Sequence, residues 1–365
     1  MTYSVWIHII ISDYRMLCKR ITRKVNVDLD NEIKGSLRAG WLALLPIVVF
    51  ILSLSIGRYP VSIDSLAGAL WAQVTGAEMS AAQLALVRVR LPRSILAMIV
   101  GAALSLSGAV YQGLFKNPVV SPDLLGASSG ASFGAALSIL LGAGSAAIQL
   151  FSFLSGILAV ALVAGMNRIV SRRANSIINL ILCGMLVSSL FNAAVSFIKF
   201  VADTDTKLPA ITFWLMGSLS SIILKDLHVF WLFLPACIIL LLVRWKVNIL
   251  SLGDDEARML GVRVYFYRWL IIGCATLLTS LSVSVSGNIG WIGLVVPHFA
   301  RMLVGANYSK LLPASMLVGG AFMLAVDTVA RMLYTVEIPL SIITAVIGSP
   351  FFFFLLARSK KGFVS

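Results

Sequence analysis

The densest group of ionisable side chains in this sequence is an acidic run at residues 254–256 that is followed by Arg258. Acidic residues favour a helix N-terminus, where the backbone carries partial positive charge, and a glycine such as Gly261 favours a helix end. The apolar positions of the segment lie near one face of such a helix: Ala257, Leu260 and Val262. The segment is too short to span a bilayer, so it predicts a contact at the membrane surface.

Charged residues inside the long apolar runs are scarce. Asp327 is almost the only one well inside a run, and Arg331 follows one helical turn later, which favours a local ion pair. Secondary transporters usually need several buried ion-coordinating groups. The scarcity of such groups predicts that any transport by this chain is energised by another subunit.

The remaining residue types that could do chemistry are scattered. The cysteines and histidines form no close set: Cys18, Cys183, Cys237, Cys274, His8, His228 and His298. This pattern offers neither a clustered ligand set for zinc or haem nor a nucleophile paired with a base. The sequence therefore predicts no catalytic residue, no metal site and no cofactor.

The elements that position these residues are long apolar runs. The chain has 365 residues, of which 59% are hydrophobic and only 12% are charged. Ten runs are long enough to be helical spans or nearly so: 41–57, 94–112, 124–141, 147–166, 178–198, 229–244, 269–287, 291–304, 311–329 and 340–357. The prediction is an all-α polytopic membrane protein with one ten-helix domain over residues 41–357.

The net charge of +14 reflects membrane topology and not nucleic-acid binding. Most of the 29 Lys and Arg residues lie in the two terminal segments and the even-numbered connections, or border them. The positive-inside rule then places both termini and residues 248–263 in the cytoplasm. Residues 1–40 are predicted to be a cytoplasmic extension, and residues 358–365 a basic cytoplasmic tail.

Small residues repeat every fourth position in the third run, at Gly126, Gly130 and Gly134. Such a stripe favours close packing between helices, and lining of a translocation pathway is the alternative. The eighth run is short and contains Pro297, which removes a backbone donor. We therefore expect a helix there that is broken or only partly inserted.

Several motifs, taken in order, resemble one family. They are RLPRSILAMIVGAALSLSGAVYQGLFKNPVVSPDLLGASSGAS at 90–132, FWLMGSLS at 213–220, LSLGDDEARMLGV at 250–262, GNIGWIGLVVPHFARMLVGANYSKLLPAS at 287–315 and IPLSIITAVIGSPFFFFLL at 338–356. Together they are similar to the FecCD-like ABC importer permeases for iron complexes and cobalamin, and the likeness covers roughly residues 41–357. The resemblance implies the BtuC-like type II importer fold, with ten helices per subunit.

The resemblance also implies partners. Such permeases pair with a second permease subunit, bind two cytoplasmic ATPase subunits and receive an extracytoplasmic substrate-binding protein, while lipid surrounds the spans. The chain contains no GxxxxGK[ST] phosphate loop. We therefore expect a non-catalytic conduit in the cytoplasmic membrane of a prokaryote, with ATP hydrolysis on a partner.

By resemblance, the acidic segment is the coupling helix that meets the ATPase. Its expected residues are Gly253, Asp254, Asp255, Arg258, Met259, Leu260 and Gly261. Met259 and Leu260 are expected to make the apolar contact, and the charged side chains to set the orientation.

The resemblance assigns two further sites. Arg90, Arg93 and Arg331 are expected to receive carboxylates of the binding protein, because guanidinium groups form paired hydrogen bonds with them. Membrane anchoring of these arginines is the alternative. The inner gate is expected at Asn175, Ser176, Ile177 and Ile178.

The leading hypothesis is ATP-driven import of an iron complex by alternating access. Among iron complexes, a ferric siderophore is the favoured cargo. Within the same class, cobalamin, haem and molybdate stay open as cargo. From a different class, an ion-coupled secondary transporter is the competing hypothesis.

Overall fold

A computed structural model describes residues 40–57, 68, 71–72, 75–170, 177–334 and 336–359. The chain divides into two compact units, Met1–Leu44 and Leu45–Ser365. Of the first unit, the described part is only the opening of a helix. The predicted N-terminal extension therefore lies outside the described residues except for Gly40, and so do residues 360–365 of the predicted tail.

The described residues are overwhelmingly helical. The helices are α1 Gly40–Ser55, α2 Leu91–Leu114, α3 Ala127–Leu140, α4 Ser145–Val170, α5 Ile177–Val201, α6 Lys207–Leu215, α7 Phe230–Leu242, α8 Arg244–Leu252, α9 Asp254–Met259, α10 Val264–Ser286, α11 Ile292–Val304, α12 Tyr308–Met332 and α13 Leu340–Ser359. Short 3-10 turns precede α3, at Pro122–Leu125, and α7, at Leu224–Val229.

Ten of these helices coincide, in order, with the ten predicted spans. Within the described residues, six are long and apolar enough to cross a membrane, α7 being so only together with the 3-10 turn before it, over Leu224–Leu242. Helices α1, α3, α11 and α13 are shorter apolar helices. The predicted all-α, ten-span architecture is confirmed. The remaining three, α6, α8 and α9, are short helices in the connections.

The second span is longer than the sequence predicts. The prediction began at residue 94, whereas continuous helix runs over Gln83–Leu114 and includes a π-helical stretch at Leu86–Arg90. Arg90 donates to the backbone carbonyl of Leu54 at 3.1 Å. The helix therefore continues through Arg90 and Arg93, because both side chains find partners within the protein. These charged residues do not mark the start of the helix.

Helices α2 and α10 are the most deeply buried of the long helices. Helix α2 packs against α10, α11 and α12, and glycines mark the closest approaches. A methyl group on Gly108 would lie 1.7 Å from the carbonyl oxygen of Gly293 on α11. One on Gly101 would lie 2.3 Å from that of Gly319 on α12. Backbone thus meets backbone at these crossings, and no side chain fits between.

Helix α11 is continuous although Pro297 lies inside it. Its 13 residues rise about 20 Å, which is shorter than a bilayer core. The expectation of a broken helix is therefore wrong, because Pro297, the sixth residue of α11, removes only one backbone donor from the helix. Partial insertion of α11 stays a prediction.

Candidate functional site

Helices α8 and α9 form a two-helix unit in the connection between α7 and α10, and Gly253 separates them. Its inner side is apolar and buried, with Val247, Leu250 and Ala257 all 2% exposed or less. Helix α9 ends in a glycine motif, because the N–H of Gly261 donates to the carbonyl of Arg258 and that of Val262 to the carbonyl of Ala257. Gly261 has φ +73°, which a residue with a side chain rarely adopts.

The opposite side of the two-helix unit exposes large apolar side chains. Met259 is 80% exposed and Leu260 is 60% exposed, and Leu252 beside them is also exposed. Leu260 therefore lies away from Ala257 and Val262, contrary to the predicted common face, because the chain leaves the helix at that residue. An anchored helix with an apolar exposed tip is a surface suited to binding another protein.

The charged residues of α9 point in different directions. Asp255 and Arg258 are exposed and pair with each other at 3.1 Å. Asp254 instead faces into the protein, where its Oδ1 accepts from Nη2 of Arg268 at 2.5 Å. Of the three charged residues expected to orient a partner, Asp255 and Arg258 are exposed and Asp254 is not available.

At the end of the protein where α2 begins, the predicted docking arginines belong to one arginine cluster. We define it by Arg90, Arg93, Asp327, Arg331 and Glu337. Arg93, only 4% exposed, binds Asp327 through Nε at 2.9 Å and Nη2 at 2.8 Å, and Glu337 through Nη1 at 2.7 Å. The predicted pair between Asp327 and Arg331 is confirmed, with Nε and Oδ2 3.1 Å apart.

The cluster ties three helices and a connection together. Asp327 is fully buried and is bound by arginines of α2 and α12, while Arg331 also donates to Ser53 of α1 at 2.8 Å. Glu337 comes from the connection before α13. Arg93 is therefore satisfied within the protein, whereas Arg90 and Arg331 keep part of their surface exposed. Docking of a partner here stays a prediction.

The expected gate lies only partly in the described structure. Asn175 and Ser176 fall outside the described residues, Ile177 begins α5, and Ile178 is exposed. A gating role for these residues stays a prediction.

The small-residue stripe on α3 faces its neighbours closely. A methyl group on Gly130 would lie 2.5 Å from the carbonyl oxygen of Ser155, and one on Gly134 would lie 2.2 Å from that of Phe151, both on α4. Gly126 has φ +81°, and a methyl group on it would lie 3.1 Å from the hydroxyl of Ser188 on α5. Close packing accounts for the first two glycines and turn geometry for the third.

Comparison with known proteins agrees with this arrangement. Residues 44–358 match the FecCD transport family. The chain belongs to this family. The match spans all ten apolar helices apart from the first turn of α1 and the end of α13.

Individual FecCD relatives are similar over most of their length. The molybdate import system permease protein MolB of Haemophilus influenzae is 44% identical over 323 residues, which are 88% of this chain and 95% of MolB. A permease named for an iron chelatin transport system in Helicobacter pylori is 43% identical over 284 residues, covering 78% of this chain and 85% of its own. A solved ABC transporter of the metal-chelate type, in an inward-facing conformation, matches with TM-score 0.80 and 42% identity, over 88% of this chain and 99% of that one.

These findings establish the general activity. The chain is the permease of an ABC importer and has the BtuC-like fold. It is a multi-pass membrane subunit and not an enzyme, because ATP hydrolysis in such transporters belongs to a separate subunit. Within the described residues, no group of three metal-ligating side chains is found.

Sequence reasoning missed two residues of the two-helix unit's surroundings. The sequence patterns assigned no specific contact to Arg268 of α10 or to Asn248 of α8. The sequence did contain a signal for Arg268, because a cation four residues into an apolar helix needs a carboxylate partner. The acidic run at residues 254–256, which lies shortly before in the chain, offers one.

Proposed function

We propose that this FecCD permease carries an iron chelate into the cell. In this proposal, ATPase subunits bind the exposed side of α9, and an extracytoplasmic binding protein docks on the arginine cluster. A second permease subunit, identical or similar, completes the pathway, and lipid surrounds the outer helices. The termini and α9 lie in the cytoplasm, as the distribution of Lys and Arg suggests.

The observation that carries the proposal is the exposed apolar tip of α9. Burying Met259 and Leu260 in a groove of a partner is favourable, because each large apolar side chain contributes about 1.5–3 kcal/mol when it leaves water. The buried inner side of the unit gives that contact a rigid base. A surface of this kind supports the proposal that α9 binds an ATPase subunit.

The choice of cargo is supported by relatives. An iron chelate is suggested by the Helicobacter pylori permease and by the solved transporter of the metal-chelate type. Molybdate is the second candidate, because MolB aligns with a larger share of this chain at similar identity. The competing hypothesis of an ion-coupled carrier is not supported, because the chain is the permease of an ABC importer.

The test is uptake by vesicles that contain the purified permease, its ATPase subunit and its binding protein. We expect ATP-dependent accumulation of a radiolabelled ferric siderophore, and little accumulation of radiolabelled molybdate, haem or cobalamin. Accumulation of molybdate alone would show that molybdate is the cargo, and the proposed ATP-driven mechanism would stand. Accumulation without any ATPase subunit would refute the ABC mechanism for this chain.

The coupling surface is tested in the same vesicles. Leu260→Asp should weaken ATPase association about tenfold or more, because a charge enters an apolar contact and the loss of Leu260 alone is worth more than 1.4 kcal/mol. Met259→Leu keeps an apolar side chain and is the matched control. Normal ATPase association and uptake by Leu260→Asp would contradict the assignment.

A further inference from the structure

Arg268 is a buried cation four residues after the start of α10. Only 5% of its side chain is exposed, and its one charged partner among the described residues is Asp254, the first residue of α9. Its Nε has no hydrogen-bond partner. Removing Asp254 would strand a buried charge, so this contact holds α9 firmly to α10.

Helix α8 is held to other elements by hydrogen bonds. The side-chain oxygen of Asn248 accepts from the backbone N–H of Tyr308 at 2.8 Å, and its amide donates to Asn307 at 3.0 Å, so α8 binds the start of α12. Lys116 donates to the carbonyl of Leu252 at 3.2 Å. The two-helix unit therefore contacts three different parts of the bundle.

Helix α9 is joined to α10 at both of its ends. The chain leaves α9 through Gly261 and enters α10 at Val264, while the ion pair fixes the other end of α9. One attachment through a glycine would allow α9 to pivot without moving its neighbour. Two attachments, one at each end, make any rotation of α9 act on α10.

Helix α10 is well placed to carry such a movement onward. It is buried along most of its length and packs against α2, α3, α4 and α7. Close-packed helices move as discrete bodies and do not deform continuously. The exposed pair of Asp255 and Arg258, in contrast, lies within one helix and connects no two elements.

We propose that the ion pair between Asp254 and Arg268 is the positioning contact that transmits movement of α9 to α10, so that ATP hydrolysis drives opening of the pathway. This inference rests on the proposed ATPase contact at Met259 and Leu260. It assigns Asp254 a role inside the permease, whereas the neighbouring Asp255 remains available to the partner.

The test measures coupling in vesicles that hold the assembled transporter, with radiolabelled ferric siderophore and molybdate as the two probes. We expect Arg268→Gln to lower the cargo imported per ATP hydrolysed about tenfold, which lies within the usual range of coupling between sites. ATPase association and the hydrolysis rate should stay within about threefold of wild type. Glu256→Gln removes a charge at an exposed residue of the same helix that has no assigned contact, and it should leave the ratio unchanged.

A charge exchange separates transmission from folding. Asp254→Arg combined with Arg268→Asp keeps a pair between α9 and α10 and should recover at least half of the lost ratio, while each single change loses it. If Arg268→Gln does not fold, Arg268→Met replaces it, because an apolar side chain fills the buried position and the remaining carboxylate of Asp254 is 24% exposed to solvent. If ATP hydrolysis and import by Arg268→Gln fall by the same factor, the cargo imported per ATP is unchanged. The ion pair would then have only a structural role, and the inference would be overturned.

The two proposals fail in distinguishable ways. Normal association of the ATPase subunit with the Leu260→Asp variant would contradict the proposed ATPase-binding surface on α9. Loss of association by Leu260→Asp together with an unchanged ratio in Arg268→Gln would remove only the transmission role.

Discussion

Replacing Gly108 by alanine should force α2 and α11 apart. The new methyl group would lie 1.7 Å from the carbonyl oxygen of Gly293 and 2.5 Å from its carbonyl carbon. Carbon atoms of side chains do not approach other heavy atoms within 3.0 Å, so the two backbones must separate by about 1.3 Å or more. Neither atom belongs to a rotatable side chain, so only a shift of a whole helix relieves the overlap.

The expected cost follows from two opposed effects. Overpacking of a well-packed interior costs about 1–3 kcal/mol and occasionally more. Alanine in a helix interior recovers up to about 1 kcal/mol relative to glycine. Because this overlap is backbone against backbone, we expect the upper part of the range, a net loss of about 2 kcal/mol in the free energy of unfolding.

Gly273→Ala on α10 is the matched control, since a methyl group there would meet nothing within 4 Å. It should be neutral or raise stability by up to about 1 kcal/mol. Thermal unfolding in detergent, followed by loss of the monodisperse peak in size-exclusion chromatography, compares both variants with wild type. Equal midpoints for Gly108→Ala and Gly273→Ala would refute the close crossing of α2 and α11.

Two further predictions concern charged groups. Arg90→Glu should weaken docking of the binding protein with little loss of stability. Arg93→Gln should instead cost about 3 kcal/mol of stability, because it leaves buried Asp327 with Arg331 as its remaining ion-pair partner and removes the partner of Glu337. Equal thermal midpoints for the two variants would contradict this difference. Hydrogen bonds from Thr206, first from its hydroxyl and then from its backbone N–H, hold the pKa of Asp203 below its ordinary value. A carboxylate with a lowered pKa stabilises the fold above its ordinary pKa of about 3.9, and this stabilisation is lost as the pH falls through the lowered pKa. The difference in thermal midpoint between wild type and Asp203→Ala should therefore be constant from about pH 7 to 5 and shrink below about pH 4, and a constant difference down to pH 2 would contradict the assignment.

The sequence predicted the spans well because each one is a local property. A run of apolar residues must be helical in a bilayer, whatever lies beside it. The start of α2 was misplaced because the partners that keep Arg90 and Arg93 within a helix, Leu54 and Asp327, are distant in sequence. Pairing of this kind is decided by tertiary contacts and leaves no periodic signal.

The candidate sites divide in the same way. Capping rules predicted the acidic start of α9 and the glycine that ends it, whereas the outward position of Met259 was implied only by the family resemblance. Nothing local distinguishes Asp254 from Asp255, although the structure directs one inward and the other to solvent. Only the position of Arg268 decides between them.

The glycine crossings of α2 also bear on how cargo can change in this family. At Gly101 and Gly108 every possible side chain overlaps a neighbouring backbone, so single substitutions there cannot be accommodated one at a time. Relatives named for molybdate and for an iron chelatin are 44% and 43% identical to this chain. The body formed by α2, α11 and α12 is a rigid frame that single substitutions at these glycines disrupt and do not adjust. In this fold, a change of cargo is therefore expected to come from substitutions outside that frame.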